Sequence, residues 1–301
     1  MSVRAQTSAA GLELTVELER GDLLPGRLVA GVLRLVATAD REIRGISAAL
    51  VGTEHWQFER TEHSGTKAGY QTRTVTAREQ LSLVPLALHG PARLARGEER
   101  VVPFEVPVPA LGPATLEATV AGILWAFEVR IDIPGRPDVG LSVPVAVHQP
   151  TALLRAGVVR VGQFALFEGA DAASGAARAT LELDPVPLCL GAPAVARLTV
   201  AAPEANLQEI RLELRVHVEA TVTSGKEEEL TIGTWRVAGE GRFGGEAQAL
   251  EMPLAVPALR LPTIVLPHGR TAARLHLILA RAFARDIHLV RDVALCTTTE
   301  I

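Results

Sequence analysis

The 301-residue chain has little cysteine, few aromatics and no long apolar run. Its two cysteines, Cys189 and Cys296, cannot staple a chain of this size; both sit in apolar runs and are expected as buried thiols. Aromatic residues make up 4%. Trp56, Trp125 and Trp235 lie within or beside strand patterns and are expected in the core, which argues against a sugar cleft built on aromatic platforms. No stretch reaches about 18 uninterrupted apolar residues, so no integral membrane segment is expected. The N-terminal residues have no apolar block before charge resumes, so no signal peptide is expected and the default setting is cytoplasmic. Neither sign of charge dominates: 30 basic against 34 acidic residues give −4, which excludes nucleic-acid binding through bulk charge. The Ala-, Arg-, Val- and Leu-rich usage points to a GC-rich bacterial source.

Chemistry-bearing motifs are missing as well. There is no nucleophile elbow, phosphate-binding glycine loop or carboxylate pair of defined spacing. Ser224-Gly225-Lys226 lacks the flanking glycines and following helix of such a loop, and reads as a hairpin turn before Glu227-Glu228-Glu229. No enzyme activity, cofactor or metal is therefore expected.

What is present is alternation. Leu12, Leu14, Val16 and Leu18 alternate with Glu13, Thr15 and Glu17; Phe127, Val129, Ile131 and Ile133 alternate with Glu128, Arg130 and Asp132. Ile210 to Val222 places every even-numbered residue on one apolar side and predicts one continuous strand. A period of two means strands with one dry and one wet face, as in antiparallel sheets. Turn residues such as Pro25-Gly26, Gly135-Arg136-Pro137 and Pro267-His268-Gly269 separate the runs. Arg274 to Leu295 fits a helical stripe almost as well as a strand pair.

Internal repetition bears on that choice. Leu24-Pro25-Gly26 is echoed by Leu190-Gly191-Ala192-Pro193, Glu42-Ile43-Arg44 by Glu209-Ile210-Arg211, and Val108-Pro109-Ala110-Leu111 by Val256-Pro257-Ala258-Leu259. Three matches in one order point to a duplicated domain and favour strands over 274–295. The predicted fold is all-β: two tandem antiparallel, immunoglobulin-like β-sandwiches over 1–149 and 150–301, with the boundary at Gln149-Pro150. Residues 168–179 read as a flexible loop ahead of a first strand at Thr180 to Leu183.

The order of these features resembles the arrestin superfamily. The resemblance rests on Pro25-Gly26-Arg27-Leu28-Val29-Ala30-Gly31-Val32-Leu33, on Ile43 to Gly52 leading to Trp56, on Gly97 with Val102-Pro103-Phe104-Glu105-Val106-Pro107, and on Ile123-Leu124-Trp125-Ala126-Phe127-Glu128-Val129. In the second half it rests on Ala192-Pro193 and Leu212 to Val218. Bacterial sporulation-control proteins and the arrestin-like retromer subunit share this architecture. The resemblance implies a non-enzymatic adaptor or scaffold of two sandwiches joined by a short hinge, with no catalytic residues. Glu13, Glu17 and Glu19 stand where visual arrestins carry phosphate-sensing lysines, so phospho-receptor sensing is not implied.

Several residues are candidates for a site. Leu12 to Leu18 is a candidate edge strand for docking a partner peptide, with Glu13, Glu17 and Glu19 favouring a basic one; pairing on both sides is the plainer alternative. Tyr70 lies in the polar stretch 59–80, read either as a partner loop or as an extended hairpin. Glu54, His55, Glu62 and His63 read as solvated groups rather than metal ligands, and His276 and His288 as wet-face residues facing each other across the last hairpin. Arg291 falls on the core face of its strand pattern. A bulge turning it outward is the preferred expectation; pointing inward, it needs a partner, and the ionic cluster between domains implied by the resemblance would take Asp286, Asp292 or Asp132. The expected partner is a protein, with assembly into a homo-oligomer or larger complex the alternative and a small-ligand or sugar-binding role a more remote one.

Overall fold

The computed structural model describes residues 1–63, 70–155, 178–201, 207–238, 248–281 and 286–299. The first half carries β1 (Val3–Ala9), β2 (Leu12–Leu18), β3 (Asp22–Leu23), β4 (Leu28–Ala37), β5 (Arg41–Ile43), β6 (Gly45–His63), β7 (Tyr70–His89), β8 (Ala92–Leu94), β9 (Glu99–Pro107), β10 (Ala121–Asp132) and β11 (Val139–Val147). After the short helix α1 (Thr151–Arg155) come β12 (Arg178–Asp184), β13 (Leu188–Cys189), β14 (Pro193–Ala201), β15 (Leu207–Ala220), β16 (Glu227–Ala238), β17 (Gln248–Ala255), β18 (Gly269–Arg281), β19 (Ile287–Val293) and β20 (Leu295–Cys296).

These strands form two antiparallel sandwiches. In the first, sheet β1-β2-β4-β9 faces sheet β3-β11-β10-β6-β7. Phe104 of β9 and Phe127 of β10 stack across the interior with centroids 4.9 Å apart. In the second, β12-β14-β17 faces β16-β15-β18-β19. Leu12, Leu14, Val16 and Leu18 are buried while Glu13 and Glu17 are exposed, as a half-dry strand requires. On β15 the buried set is Ile210, Leu212, Leu214, Val216, Val218 and Ala220. The strand expected to reach Val222 stops at Ala220, because the chain turns through Ser224, at φ 58°, and Gly225. Residues 274–295 are the strand pair β18–β19, not a helix.

The chain groups into two compact units. One holds Met1–His55, Ala77–Leu116 and Gly122–Gln149; the other holds Trp56–Thr76, Glu117–Ala121 and Pro150–Ile301. The outer part of the β6–β7 hairpin thus belongs to the second unit, where Trp56 stacks on His268 at 3.9 Å. The loop expected at 168–179 lies mostly outside the described residues.

Each unit repeats the same construction. The Gly26 amide donates to the Val108 carbonyl at 3.0 Å, and the Gly191 amide to the Pro257 carbonyl at 3.0 Å. Thr115 and Val147 exchange two hydrogen bonds, one through the Thr115 hydroxyl; Thr263 and Leu295 do the same. A short parallel pair recurs too, β3 with β11 and β13 with β20. One constant shift along the chain maps Val108 onto Val256, Thr115 onto Thr263 and Val147 onto Leu295.

Gly26 and Gly191 both adopt positive φ, 75° and 85°, at the turns into β4 and β14. A Cβ would meet the Ala110 Cβ at 3.6 Å in the first case and the Ala258 Cβ at 3.2 Å in the second. Gly26→Ala is expected to cost about 1–2 kcal/mol from backbone strain alone. Gly191→Ala should cost more, because the contact is tighter. Urea denaturation of both variants checks the order.

Candidate functional site

The outer face of the first sandwich carries a groove of about 650 Å³ over the C-terminal end of β2 and the neighbouring parts of β4 and β9. Ala30, Val32 and Pro103 form its apolar floor, and Glu17, Glu19 and Glu105 its rim. The ladder fixes this arrangement: Glu17 is in register with Val32 and Val32 with Pro103, while Ala30 is in register with Glu105. Below the floor, Gly31 leaves room for Phe104, whose ring a Cβ at Gly31 would meet at 2.4 Å. Glu19 is paired with Arg20 at 3.6 Å. Among the described residues Glu17 and Glu105 form no ion pair, and Arg4, in register with Glu17, does not close one either.

The edge-strand expectation for Leu12 to Leu18 is corrected here. β2 pairs with β1 on one side and β4 on the other, so its backbone is used up. A seven-residue strand, β1, lies outside it. Glu17 and Glu19 stay together, but as the wall of a groove on a sheet face. Glu13 is exposed on the same strand, in register with Val36, and lies outside the groove. Tyr70, 75% exposed at the start of β7, belongs to the other unit. Sequence reading missed Glu105 and Pro103, whose place beside Glu17 depends on the pairing of β4 with β9. The Val-Pro-Phe-Glu segment was visible, but not its neighbour.

The wet face of the second sandwich bears a ladder of alternating charge. Glu213, 12% exposed, sits between Arg211 at 2.8 Å and Arg215 at 2.6 Å. Arg215 reaches on to Glu229 at 3.0 Å, and Glu219 takes Arg270 at 2.8 Å. His217 lies 3.3 Å from Glu219 and 3.6 Å from Glu227. With Arg270 on Glu219, this trio is one more rung of the ladder. Burial pushes the Glu213 carboxyl up, but Arg215 and Arg211 more than reverse this and hold it below the usual carboxylate range. Arg270 does the same for Glu219, against burial.

His276 and His288 are not opposite each other; their partners in register are Val290 and Ile278. Burial, with Arg215 and Arg274 nearby, holds His276 below the usual histidine range. Glu62 is held by Arg73 at 2.9 Å and Arg60 at 3.3 Å, and Glu54 is fully buried. The His63 side chain lies outside the described residues. Cys189 and Cys296 are free, buried and in register; burial and the neighbouring thiol push Cys189 up to about 12.

Arg291 points inward, contrary to the preferred expectation. The β18–β19 register runs without a bulge and sets Arg291 opposite Leu275 on the core face. Its Nη1 donates to the Leu181 carbonyl of β12 at 2.7 Å. The expected carboxylates are engaged elsewhere: Asp292 with Arg274 at 3.3 Å, Asp132 with Arg44 at 3.6 Å, and Asp286 with the Arg281 amide at 3.3 Å. A backbone carbonyl therefore takes the place of the ionic cluster.

Two sandwiches of repeated construction, with a positive-φ glycine turn leading into β4 in one and β14 in the other, define an arrestin-like protein. The profile of the SpoOM protein family, sporulation-control proteins of arrestin-like fold, matches residues 7–158, and the chain belongs to that family. Its members are generally non-enzymatic regulatory proteins. No curated protein matches the chain at significant similarity. No helix among the described residues is long and apolar enough to cross a membrane.

The charge ladder fixes a pH dependence. The folded-state pKa values of Glu213 and Glu219 are lowered, so the stability they contribute is present above the unfolded value, about 4.3. It is lost as pH falls through the folded values. The urea midpoint should slip slightly below about pH 6.5, where His276 protonates in the unfolded but not the folded chain, and then decline further as pH falls below about 4.3. Glu213→Gln should lower the neutral-pH midpoint and flatten the decline, measured by urea titrations across pH.

Proposed function

We propose that this protein is a non-enzymatic adaptor whose first sandwich docks a basic segment of a partner protein in the groove between Glu17, Glu19 and Glu105. The observation that carries this reading is the pair of carboxylates, Glu17 and Glu105, that flank an apolar floor without an ion pair of their own among the described residues. Most other charges on these sheets are matched: Arg34 with Glu99, Arg44 with Asp132, Arg130 with Asp138. An unmatched acidic rim attracts a cationic side chain and speeds its encounter, while the apolar floor accepts the aliphatic stem of Arg or Lys.

Glu13 extends the acidic face, and Tyr70 offers a second, aromatic contact on the other unit. Residues 1–149 and 150–301 are read as the two domains of the adaptor. Its setting is the bacterial cytoplasm, which suits two buried free thiols.

The test compares wild type with the double variant Glu17→Lys/Glu105→Lys in pull-downs from the native host, followed by titration of the recovered partner's basic segment as a synthetic peptide. Wild type should bind with an affinity that falls as salt rises, and the double variant at least about tenfold more weakly. Tyr70→Ala should weaken the whole partner but not the short peptide. Equal binding to wild type and double variant would exclude the groove. A concentration-independent large homo-oligomer in light scattering, with no partner recovered, would favour the assembly alternative.

A further inference from the structure

Among the described residues the two sandwiches differ at one edge. In the first, β1 pairs with β2 and packs against β11, so the gap between the two sheets is covered. Val3, Ala5 and Thr7 of β1 face inward and lie in register with Leu18, Val16 and Leu14. The second sandwich repeats β2 as β12, β4 as β14 and β9 as β17. Leu181 is in register with Leu198 as Val16 is with Leu33. Among the described residues β12 pairs only with β14, and no strand stands where β1 stands in the first sandwich.

The core has changed at the same place. The shift that maps the first repeat onto the second carries Val143 onto Arg291. Val143 is fully buried, opposite Phe127; Arg291 lies opposite Leu275. It borders a small apolar-walled slot lined by Ala179, Leu181, Leu275, Leu277 and Leu289. Its Nη1 reaches the Leu181 carbonyl, whereas its Nε is buried with no acceptor. A buried guanidinium N–H without an acceptor is costly, so a second acceptor is called for at this spot. The Leu181 carbonyl accepts from Arg291 at the edge of β12 that no described strand covers. In an antiparallel ladder a residue's amide and carbonyl are turned the same way, so that edge presents a donor beside the acceptor.

We propose that the β12 edge is a strand-docking site for an extended acidic segment of a partner protein. The segment pairs with β12 as β1 pairs with β2, turns small side chains inward, and sets one carboxylate against Arg291. Its size preference follows from the small Ala5 at the equivalent place in the first sandwich. Its charge preference follows from the guanidinium. Main-chain pairing supplies affinity and the inward carboxylate supplies selectivity. This site is on the second sandwich and takes the opposite charge from the groove on the first, so it stands independently of that reading.

The probes are synthetic peptides about nine residues long, alternating Thr outward with Ala or Val inward, with Glu or Lys at the central inward position. Calorimetry on the full chain should show the Glu peptide binding at least about tenfold more tightly than the Lys peptide. Arg291→Met should abolish that preference and Arg291→Lys should retain part of it, with thermal melts confirming that both variants fold. Glu17→Lys/Glu105→Lys should leave it unchanged. Hydrogen exchange should show the Leu181 amide open in the free chain and protected by the Glu peptide. Equal affinity for the two peptides, a preference that survives Arg291→Met, or a Leu181 amide already protected in the free chain because another segment of the chain occupies the edge, would overturn the proposal.

Discussion

Burial of alternate residues on one face of each sheet is the constraint from which the rest follows. A strand such as β15 places Ile210, Leu212, Leu214, Val216 and Val218 under the opposite sheet, each fully removed from solvent. Each such side chain stabilises the fold by about 1.5–3 kcal/mol. A slip of one residue in register would exchange that face for Arg211, Glu213 and Arg215, which is why the pairing with β16 and β18 is so strongly specified. The wet face can then carry a charge ladder whose contribution to stability is present at neutral pH and lost in acid.

The same constraint explains what the two repeats share and where they differ. Both need a turn that admits positive φ, met by Gly26 and Gly191, and both tie their last strand, β11 or β20, through a threonine hydroxyl to the loop before β10 or β18. The first sandwich spends an extra strand, β1, on closing its edge, and keeps valine at 143. The second puts Arg291 at the equivalent place and caps a β12 carbonyl with it. An inward-pointing charge at a sheet edge discourages indiscriminate pairing with other strands.

An acidic groove on one repeat and a cationic slot on the other give the chain two unlike surfaces on a single duplicated scaffold. Neither contains a nucleophile and base held in reacting geometry. In the two proposals both recognise extended segments, one by side-chain charge and the other by main-chain pairing. Membership of the SpoOM protein family agrees with a regulatory, binding role.

The alternation of Leu12 to Leu18, Phe127 to Ile133 and Ile210 to Ala220 determined the strands and their dry faces, because a period of two leaves one packing solution. The ordered echoes, such as Val108-Pro109-Ala110 with Val256-Pro257-Ala258, determined the duplication and with it strands over 274–295, where periodicity alone was ambiguous. Glu17 and Glu19 were legible as an exposed acidic pair. Their partnership with Glu105 was not, since it is made by the order β2-β4-β9, a non-local pairing that no short-range pattern encodes. Nor was the place of β2: that β1 covers it depends on a tight turn at Ala10-Gly11, both at positive φ, which the seven residues before it do not announce. The direction of Arg291 was decided by tertiary structure alone. A strand pattern gives the face, but whether a charge can stay on that face depends on an acceptor within reach, here the Leu181 carbonyl contributed by the opposite sheet.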